Sequence, residues 1–528
     1  MWVRELSSRA GAIILSTLLA LGLGACQALD NISNDADSDV VYLTHRAVLS
    51  TNAASAEGVS TDASLLSARI FPGAMISGPG GQLLPNTDVI SAEAIPGPKL
   101  QVRYTINPAA VYSDGQPLNC EDYLLAFIAA VMPSLFGSHL PLYQHAESLD
   151  CEPGSKTFTV HFEEGYGQRW REFFGPGTVL PFHKIVERAN VDTPTAVKAL
   201  KSFDKATLAP IAEVWRHGFD VAHFDPELQV SFGPYHITAV TDSGDIHVEA
   251  NPQYYGNPPK LDSLTFRPRN SEQASHNASA AIVGDVLDGN LDDFLGQDNT
   301  QPLEQKSVVG ERTDTLTLAS GGVFAEVTAR RALAACIDNA AVAKASSDNA
   351  GVQVPPVNTR VVSQPDPLYP RISQAIAPEI PGYVQNHADL SGKTIRLAYH
   401  GPNKRYQAMV QALGESCKTQ GITVEDVSTA DTTLADLVDA RNPEEGFVDA
   451  FLSPVDPQNN VDLEPADPGR QNEILKTEQA LWKNIVTIPL AAEPRSFAID
   501  HRIGNVVVYT GPAGIGWNMD RWQLKATP

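Results

Sequence analysis

The chain has 528 residues and a formal net charge of −24, with 62 acidic against 38 basic side chains and 43% hydrophobic residues. That balance disfavours electrostatic binding to nucleic acid or to anionic lipid surfaces and weakly favours neutral or cationic ligands. The length exceeds what one hydrophobic core organises, so two or three domains are expected.

Residues 1–25 read as a targeting segment outside the fold. Arg4 and Arg9 supply a charged n-region, and Ala10 to Leu23 form an apolar stretch too short to span a bilayer comfortably. It closes with Leu23-Gly24-Ala25-Cys26, which resembles a bacterial lipobox, after which cleavage leaves Cys26 as a diacylated N-terminus. Losing Arg4, Glu5 and Arg9 changes the charge by −2 + 1 = −1, from −24 to −25. No later run reaches the roughly 18 apolar residues of a membrane helix, so the remainder is expected to be water-soluble and tethered. Gln27 to Asp39 is polar and acidic and reads as a flexible stalk.

Val40 to Leu49 opens as a strand, followed by a small polar loop at Ser50 to Ser55. The Pro- and Gly-rich stretch 72–98 reads as loop, and Leu100, Val102, Tyr104 and Ile106 alternate as a strand. Asp114-Gly115 is a tight turn. Asn119 is placed to cap a helix, with Asp122 in the capping-box position. Leu124, Phe127, Ile128 and Val131 form the buried face of that helix, which Pro133 stops. Phe158, Val160 and Phe162 give another strand, and residues 165–231 read as mostly helical.

The middle of the chain holds a hairpin. Tyr235, Ile237 and Ala239 alternate with polar neighbours, Asp242-Ser243-Gly244-Asp245 turns the chain, and Ile246, Val248 and Ala250 restart the alternation until Asn251-Pro252. With Leu264-Thr-Phe266 as a third strand, this unit is expected to be the hinge sheet on which two lobes hang. Beyond it, Phe324 to Ala345 reads as helix, Thr394 to His400 as strand and Arg405 to Gln420 as helix. Ile422 to Val427 follows as strand, Leu434 to Arg441 as short helix and Phe447 to Leu452 as strand. That order implies a parallel sheet wrapped by helices. Ile474 to Lys483 is a final helix, and Ile485 to Ala491 a strand returning to the first lobe.

Four segments together resemble the family 5 extracellular solute-binding proteins, the peptide-type receptors of ABC importers. They are Tyr112-Ser-Asp114-Gly115-Gln-Pro117 through Asp122, then Gly233-Pro234-Tyr235 through Asn251-Pro252, Tyr254-Tyr255-Gly256 and Pro259-Lys260-Leu261-Asp262. Arg331-Ala332-Leu333 through Ile337-Asp338, and Ile488-Pro489-Leu490, complete the set. The resemblance implies an α/β fold of two lobes, periplasmic-binding-protein-like (type II) with an extra subdomain, a discontinuous first lobe and a cleft between the lobes. The first lobe would comprise 40–58, 225–305 and 487–528, its subdomain 59–224, and the second lobe 306–486. Cys120, Cys151, the Phe174-Gly175 and Leu180-Pro181-Phe182-His183 segments, and Ile211 to Trp215 before Gly218-Phe219 resemble an actinobacterial, LpqW-like branch. That branch is tied to phosphatidylinositol mannoside and lipoarabinomannan synthesis. The partners implied are a peptide or glycolipid-type ligand, an ABC permease or cell-wall biosynthesis proteins, and the membrane through the N-terminal lipid. The chain would act as a monomer without a cofactor. One departure stands out: importer receptors of this kind carry a long aromatic-rich insertion after the last second-lobe strand, whereas Pro457 to Leu481 is short and contains no aromatic residue.

An even cysteine count in an exported chain suggests two disulfides, with three possible connectivities. Pairing Cys120 with Cys151 and Cys336 with Cys417 keeps each bridge within one proposed lobe; four free thiols are the alternative. No Gly-x-Ser-x-Gly, His-Glu-x-x-His or phosphate loop is present, so no enzyme is expected. His217, Asp220, His223 and Asp225 are the nearest approach to a metal cluster and read as a solvated loop. Candidate ligand contacts are Thr51 and Asn52 at the end of the first strand, Asp456 as partner of a ligand cation, Trp482 as a stacking surface, and Tyr255. Each has a plainer reading, as loop cap, Asp-Pro turn, core or hinge packing.

Overall fold

The computed structural model describes residues 40–78, 82–268, 280–286, 303–380, 390–439, 446–458 and 463–525. Cys26 lies outside them. Val40–Thr44 (β1) is buried at every residue, as its unbroken run of β-branched and apolar side chains requires of a strand covered on both faces. Two short helices follow at Ala56–Ser60 and Ser64–Ile70, the first capped by the Ser55 hydroxyl accepting from the Gly58 N–H. The stretch expected to be all loop holds a small hairpin, Met75–Ser77 (β2) with Leu83–Pro85 (β3), and then Ile90–Ile95 (β4). Strands of three residues are too short to show a period.

Gln101–Ile106 (β5), Ala146–Cys151 (β6) and Thr157–Phe162 (β7) join β4 in an antiparallel sheet of order β4-β5-β7-β6. The helix Cys120–Val131 carries the expected capping box between Asn119 and Asp122, and the Cys120–Cys151 disulfide ties its start to β6. Helices Phe182–Arg188, Thr193–Ser202 and Lys205–His217 fill the region read as mostly helical.

The main sheet has ten strands. To β1 it adds Tyr235–Val240 (β8), Ile246–Ala250 (β9), Ser263–Pro268 (β10), Ala281–Val286 (β11), Leu303–Leu318 (β12), Thr394–Ala398 (β13), Thr423–Asp426 (β14), Ala450–Val455 (β15) and Thr487–Asp500 (β16). Their order is β14-β13-β15-β12-β16-β11-β1-β10-β9-β8. Ile503–Gly504 (β17) and Gln523–Leu524 (β18) pair separately near the end of the chain.

The β8–β9 hairpin and β10 form as read, but they occupy one edge of this sheet and not its hinge. Their strands are five or six residues long and stay within one half. The crossing falls to β12, of 16 residues, and β16, of 14 residues. At about 3.3 Å per residue each reaches roughly 50 Å. The start of β12 pairs with the end of β16, from Leu303↔Asp500 to Val309↔Pro494, and its last part with Ala492 to Thr487, alongside β15. Neither β11 nor β12 was read from the sequence; in β12, Glu304, Lys306 and Glu311 to Asp314 break any apolar alternation.

In the second half β13 pairs in parallel with both β14 and β15, and the helix Lys404–Lys418 makes the crossover, as the β-α-β order requires. The helix read over Phe324 to Ala345 is two, Val327–Cys336 and Asn339–Ala350, because Asp338 caps the second by accepting from Ala340 and Ala341 N–H. The helix read over Leu434 to Arg441 is a single 3-10 turn, Leu434–Asp436, in its described part. Cys336 and Cys417 are bonded. One apolar core gathers residues from 40 to 283 and from 497 to 522, while separate cores are built from 316–490 and 343–492. The architecture is two α/β lobes of the periplasmic-binding-protein type.

Candidate binding site: an acidic cavity between the lobes

Where β12 and β16 pass between the lobes, their register shifts between Val309 and Thr313. Gly310 sits in this irregularity, and a Cβ there would meet the Glu493 carbonyl oxygen at 2.9 Å. A bulge re-aims the side chains that follow. Here Glu311 and Arg312 both reach the space between the lobes. Buried Arg312 donates to the two Glu493 oxygens at 2.9 and 2.7 Å and to Asp62, which also accepts from Arg46 at 2.8 Å. Burial opposes ionisation of Asp62, yet Arg312, Arg46 and His45 outweigh it and hold the carboxyl far below its usual range. Arg495 donates to both oxygens of Asp285 at 2.5 and 2.7 Å. These buried charges pair with one another, although Arg46 Nε and Arg495 Nε keep no hydrogen-bond partner, and Asp62 and Arg312 form a floor to the space between the lobes.

Above the floor is a cavity of about 750 Å³ walled by both lobes, within the size range of small-molecule sites. The first lobe contributes Met75, Leu140, Tyr143 and Glu172, the C-terminal segment Tyr509, and the second lobe Asp456. Glu172 ends the single 3-10 turn Trp170–Glu172. It is half-buried, and among the described residues its carboxylate has no hydrogen bond or ion pair. Burial and then Asp456 push that carboxyl up to about 8, against the opposing pull of Arg169. Asp456 is itself raised by burial, although Gln458 N–H donates to its Oδ1 at 2.9 Å and Arg169 and Arg312 oppose the shift. Glu311 is raised by burial and by Asp456. The Tyr509 phenol, raised by burial and by the three carboxylates, stays neutral.

Beside the cavity the lobes touch directly. Ala56 packs with Ala398, Leu434 and Phe451, and the Leu434 N–H donates to Ser60 Oγ at 2.9 Å. Arg169 of the first lobe donates to the carbonyls of Pro457, Gln458 and Val361 at 2.8, 2.9 and 2.8 Å. Glu464 accepts in return from the backbone N–H groups of Gly167 and Arg169. The short segment after β15 is thus pinned to the first lobe, and the aromatic wall of the cavity comes from Tyr143 and Tyr509.

Of the side chains expected to touch a ligand, Asp456 lines the cavity and the other four do not. Thr51 is fully buried and its hydroxyl donates to Gln229 Oε1 at 2.9 Å; Asn52 is equally buried and donates to the Trp215 carbonyl at 2.8 Å. Trp482 sits in the second-lobe core, with its Nε1 donating to Asn358 O and Arg360 lying 3.9 Å over its ring. Tyr255 packs on Tyr254 and donates to Phe232 O at 3.2 Å. His217 lies 3.5 Å from Asp220, and Asp225 pairs instead with Arg188. The sequence reading missed Glu172, Glu311 and Tyr509. Glu172 carried one signal, an acid between the aromatics Trp170 and Phe173, and Glu311 another, an acid beside a glycine in a strand.

Comparison with known proteins agrees with this architecture. Residues 90–463 match the family model for bacterial extracellular solute-binding proteins, family 5 middle region. The lipoprotein ML0489 of Mycobacterium leprae is 26% identical over 559 residues, covering 97% of this chain and 97% of its own. Among solved structures, the periplasmic EDTA-binding protein EppA matches with a TM-score of 0.64 at 17% identity, covering 92% of this chain and 96% of that one. The oligopeptide-binding protein of Thermus thermophilus matches with a TM-score of 0.62 at 15% identity, over 92% and 96%. No helix among the described residues is long and apolar enough to cross a membrane. With the matched region spanning well over half its length, the chain belongs to the family 5 bacterial extracellular solute-binding proteins.

Proposed function

We propose that this protein is lipid-anchored through Cys26 outside the cytoplasm and captures a peptide or peptide-like solute between its lobes for an ABC importer. The observation that carries this reading is the cavity of about 750 Å³ with walls from both lobes and Asp456 at its second-lobe side. The mechanism is closure: a solute that touches both lobes binds the closed arrangement better than the open one and shifts the population toward it. The Thermus thermophilus structure holds a pentapeptide, and the Mycobacterium leprae relative is a lipoprotein; both favour the assignment.

The test is mass spectrometry of what co-purifies with the full chain, followed by thermal-shift titration with a peptide pool and with a mycobacterial glycolipid pool. A bound solute at 100 times its dissociation constant stabilises by about 2.7 kcal/mol, so a peptide ligand raises the unfolding midpoint measurably. Stabilisation by the glycolipid pool alone would replace the peptide assignment with a role in cell-wall glycolipid assembly.

A further inference from the structure

We infer that the corner between the helices Thr193–Ser202 and Lys205–His217 is a contact point for the anionic phospholipid surface of the membrane that holds Cys26. Phe203 enters the interface, and Lys198, Lys201 and Lys205 lie against headgroup phosphates. This rests on the lipid-anchored reading above and not on what the cavity binds.

Six consecutive residues, 201–206, are exposed at this corner, so it stands out from the first lobe as a tip. Phe203 is 48% exposed there. It is also the C-cap of the first helix, with φ +55°. A left-handed cap is the place where helices usually put glycine, which adopts that conformation without a Cβ clash. A phenylalanine bears the strain, and packing does not offset it, since Phe203 joins none of the apolar cores among the described residues. Strain kept without a packing gain points to a use outside the fold.

The charges agree. Lys198 and Lys201, three residues apart on the first helix, are exposed, while Ala196, Val197, Ala199 and Leu200 face inward. Lys205 opens the second helix. Among the described residues none of the three forms an ion pair. Asp204 is engaged in capping, accepting from the Ala206 N–H at 3.1 Å and the Thr207 hydroxyl at 2.8 Å. Residues 198–205 therefore carry +3 − 1 = +2 in a chain of net −24. That overall charge repels an anionic surface, but at physiological salt a charge is felt over only about 8 Å, so a protruding tip meets the surface on its own terms. An apolar ring at the apex with ammonium groups behind it matches the layering of a bilayer interface. An acidic protein surface would match the lysines and leave the ring in water. The 14 steps from Cys26 to Val40 reach up to about 48 Å, which gives the tip room to touch down.

Vesicle co-sedimentation tests this with the processed chain, residues 26–528, carrying Cys26→Ser so that no acyl group contributes. Partitioning at about 0.1 M salt should be at least tenfold stronger on mixed phosphatidylglycerol–phosphatidylcholine vesicles than on phosphatidylcholine alone, and the preference should vanish near 1 M salt. Combined Lys198→Gln, Lys201→Gln and Lys205→Gln should weaken it at least tenfold, each lysine at such a surface contributing about fivefold. Phe203→Gly separates a membrane role from a structural one. It relieves the strained cap, so its melting midpoint should match or exceed the wild type while partitioning falls about threefold or more. A lower midpoint with unchanged partitioning would overturn the inference. So would equal binding to both kinds of vesicle, binding to neither, or a triple lysine variant that binds like the wild type. A photo-crosslinker placed at position 203 in cells should capture lipid; capture of a protein would overturn the inference and give the tip to an acidic partner. Palmitate labelling of Cys26 reads the anchor separately: an unlabelled chain would overturn the anchored reading and this inference with it, whereas failure on vesicles leaves the anchor standing.

Discussion

Glu172 shows how a single carboxyl links site and stability. Its folded-state value, pushed up to about 8 from an ordinary 4.5, means that the folded protein keeps a proton the unfolded chain has already lost. Stability from this group is therefore fully present below about pH 4.5 and drains away as pH rises through 8. In the empty protein, Glu172→Gln should melt higher than the wild type at pH 8.5, by on the order of 2 °C, and together with it at pH 5. Differential scanning fluorimetry at the two pH values decides the matter, and a lower midpoint for the variant at both would mean that the carboxylate has a partner. Asp122 shows the limits of reading such residues from sequence. Its capping of Asn119 lies three positions away and was legible. Its bonds to Phe182 N–H at 3.0 Å and to the Tyr112 hydroxyl at 2.9 Å join positions that only the folded chain brings together. Burial meanwhile raises its carboxyl to about 6.

Among elements, helices and strands with strong periodicity were readable, whereas those that cross the molecule were not. The helix Lys404–Lys418 buries Tyr406, Met409, Val410, Leu413 and Cys417, the face its spacing announced. β12 carries charged side chains at the lobe boundary, where Glu311 and Arg312 line the cavity, and those charges erased its strand pattern. The same logic hid the strap after β15, whose anchor is Arg169 in a distant turn. Arg169→Ala removes three hydrogen bonds and strands three carbonyls at the seam, a cost of about 2–4 kcal/mol. Small-angle scattering of the empty variant should give a larger radius of gyration than the wild type, since the lost bonds join opposite lobes. An unchanged radius would show that the Ala56–Leu434 contact holds the lobes together by itself. Breaking the Cys120–Cys151 bridge, whose partners are 31 residues apart, by a double Cys→Ser change should cost about 3–4 kcal/mol, read as a lower midpoint in urea.

At the scale of the whole molecule, the two-lobe architecture was legible because four short segments, spread from Tyr112 to Leu490, each marked a different part of it. The cavity was not, since its walls come from residues between 53 and 513, and their meeting depends on how far the lobes have swung together. The pair β12 and β16 has a practical corollary. Each of these two strands belongs to both bodies at once, so neither body is a separable module. A gene cut near residue 310 or near residue 493 would leave each product with a torn sheet edge and a ladder of unpaired amides. Deletion mapping should thus yield aggregates where it seeks fragments. Insertions, tags and fluorescent reporters belong in surface turns such as Asp242 to Gly244, far from the ribbon that the two bodies share.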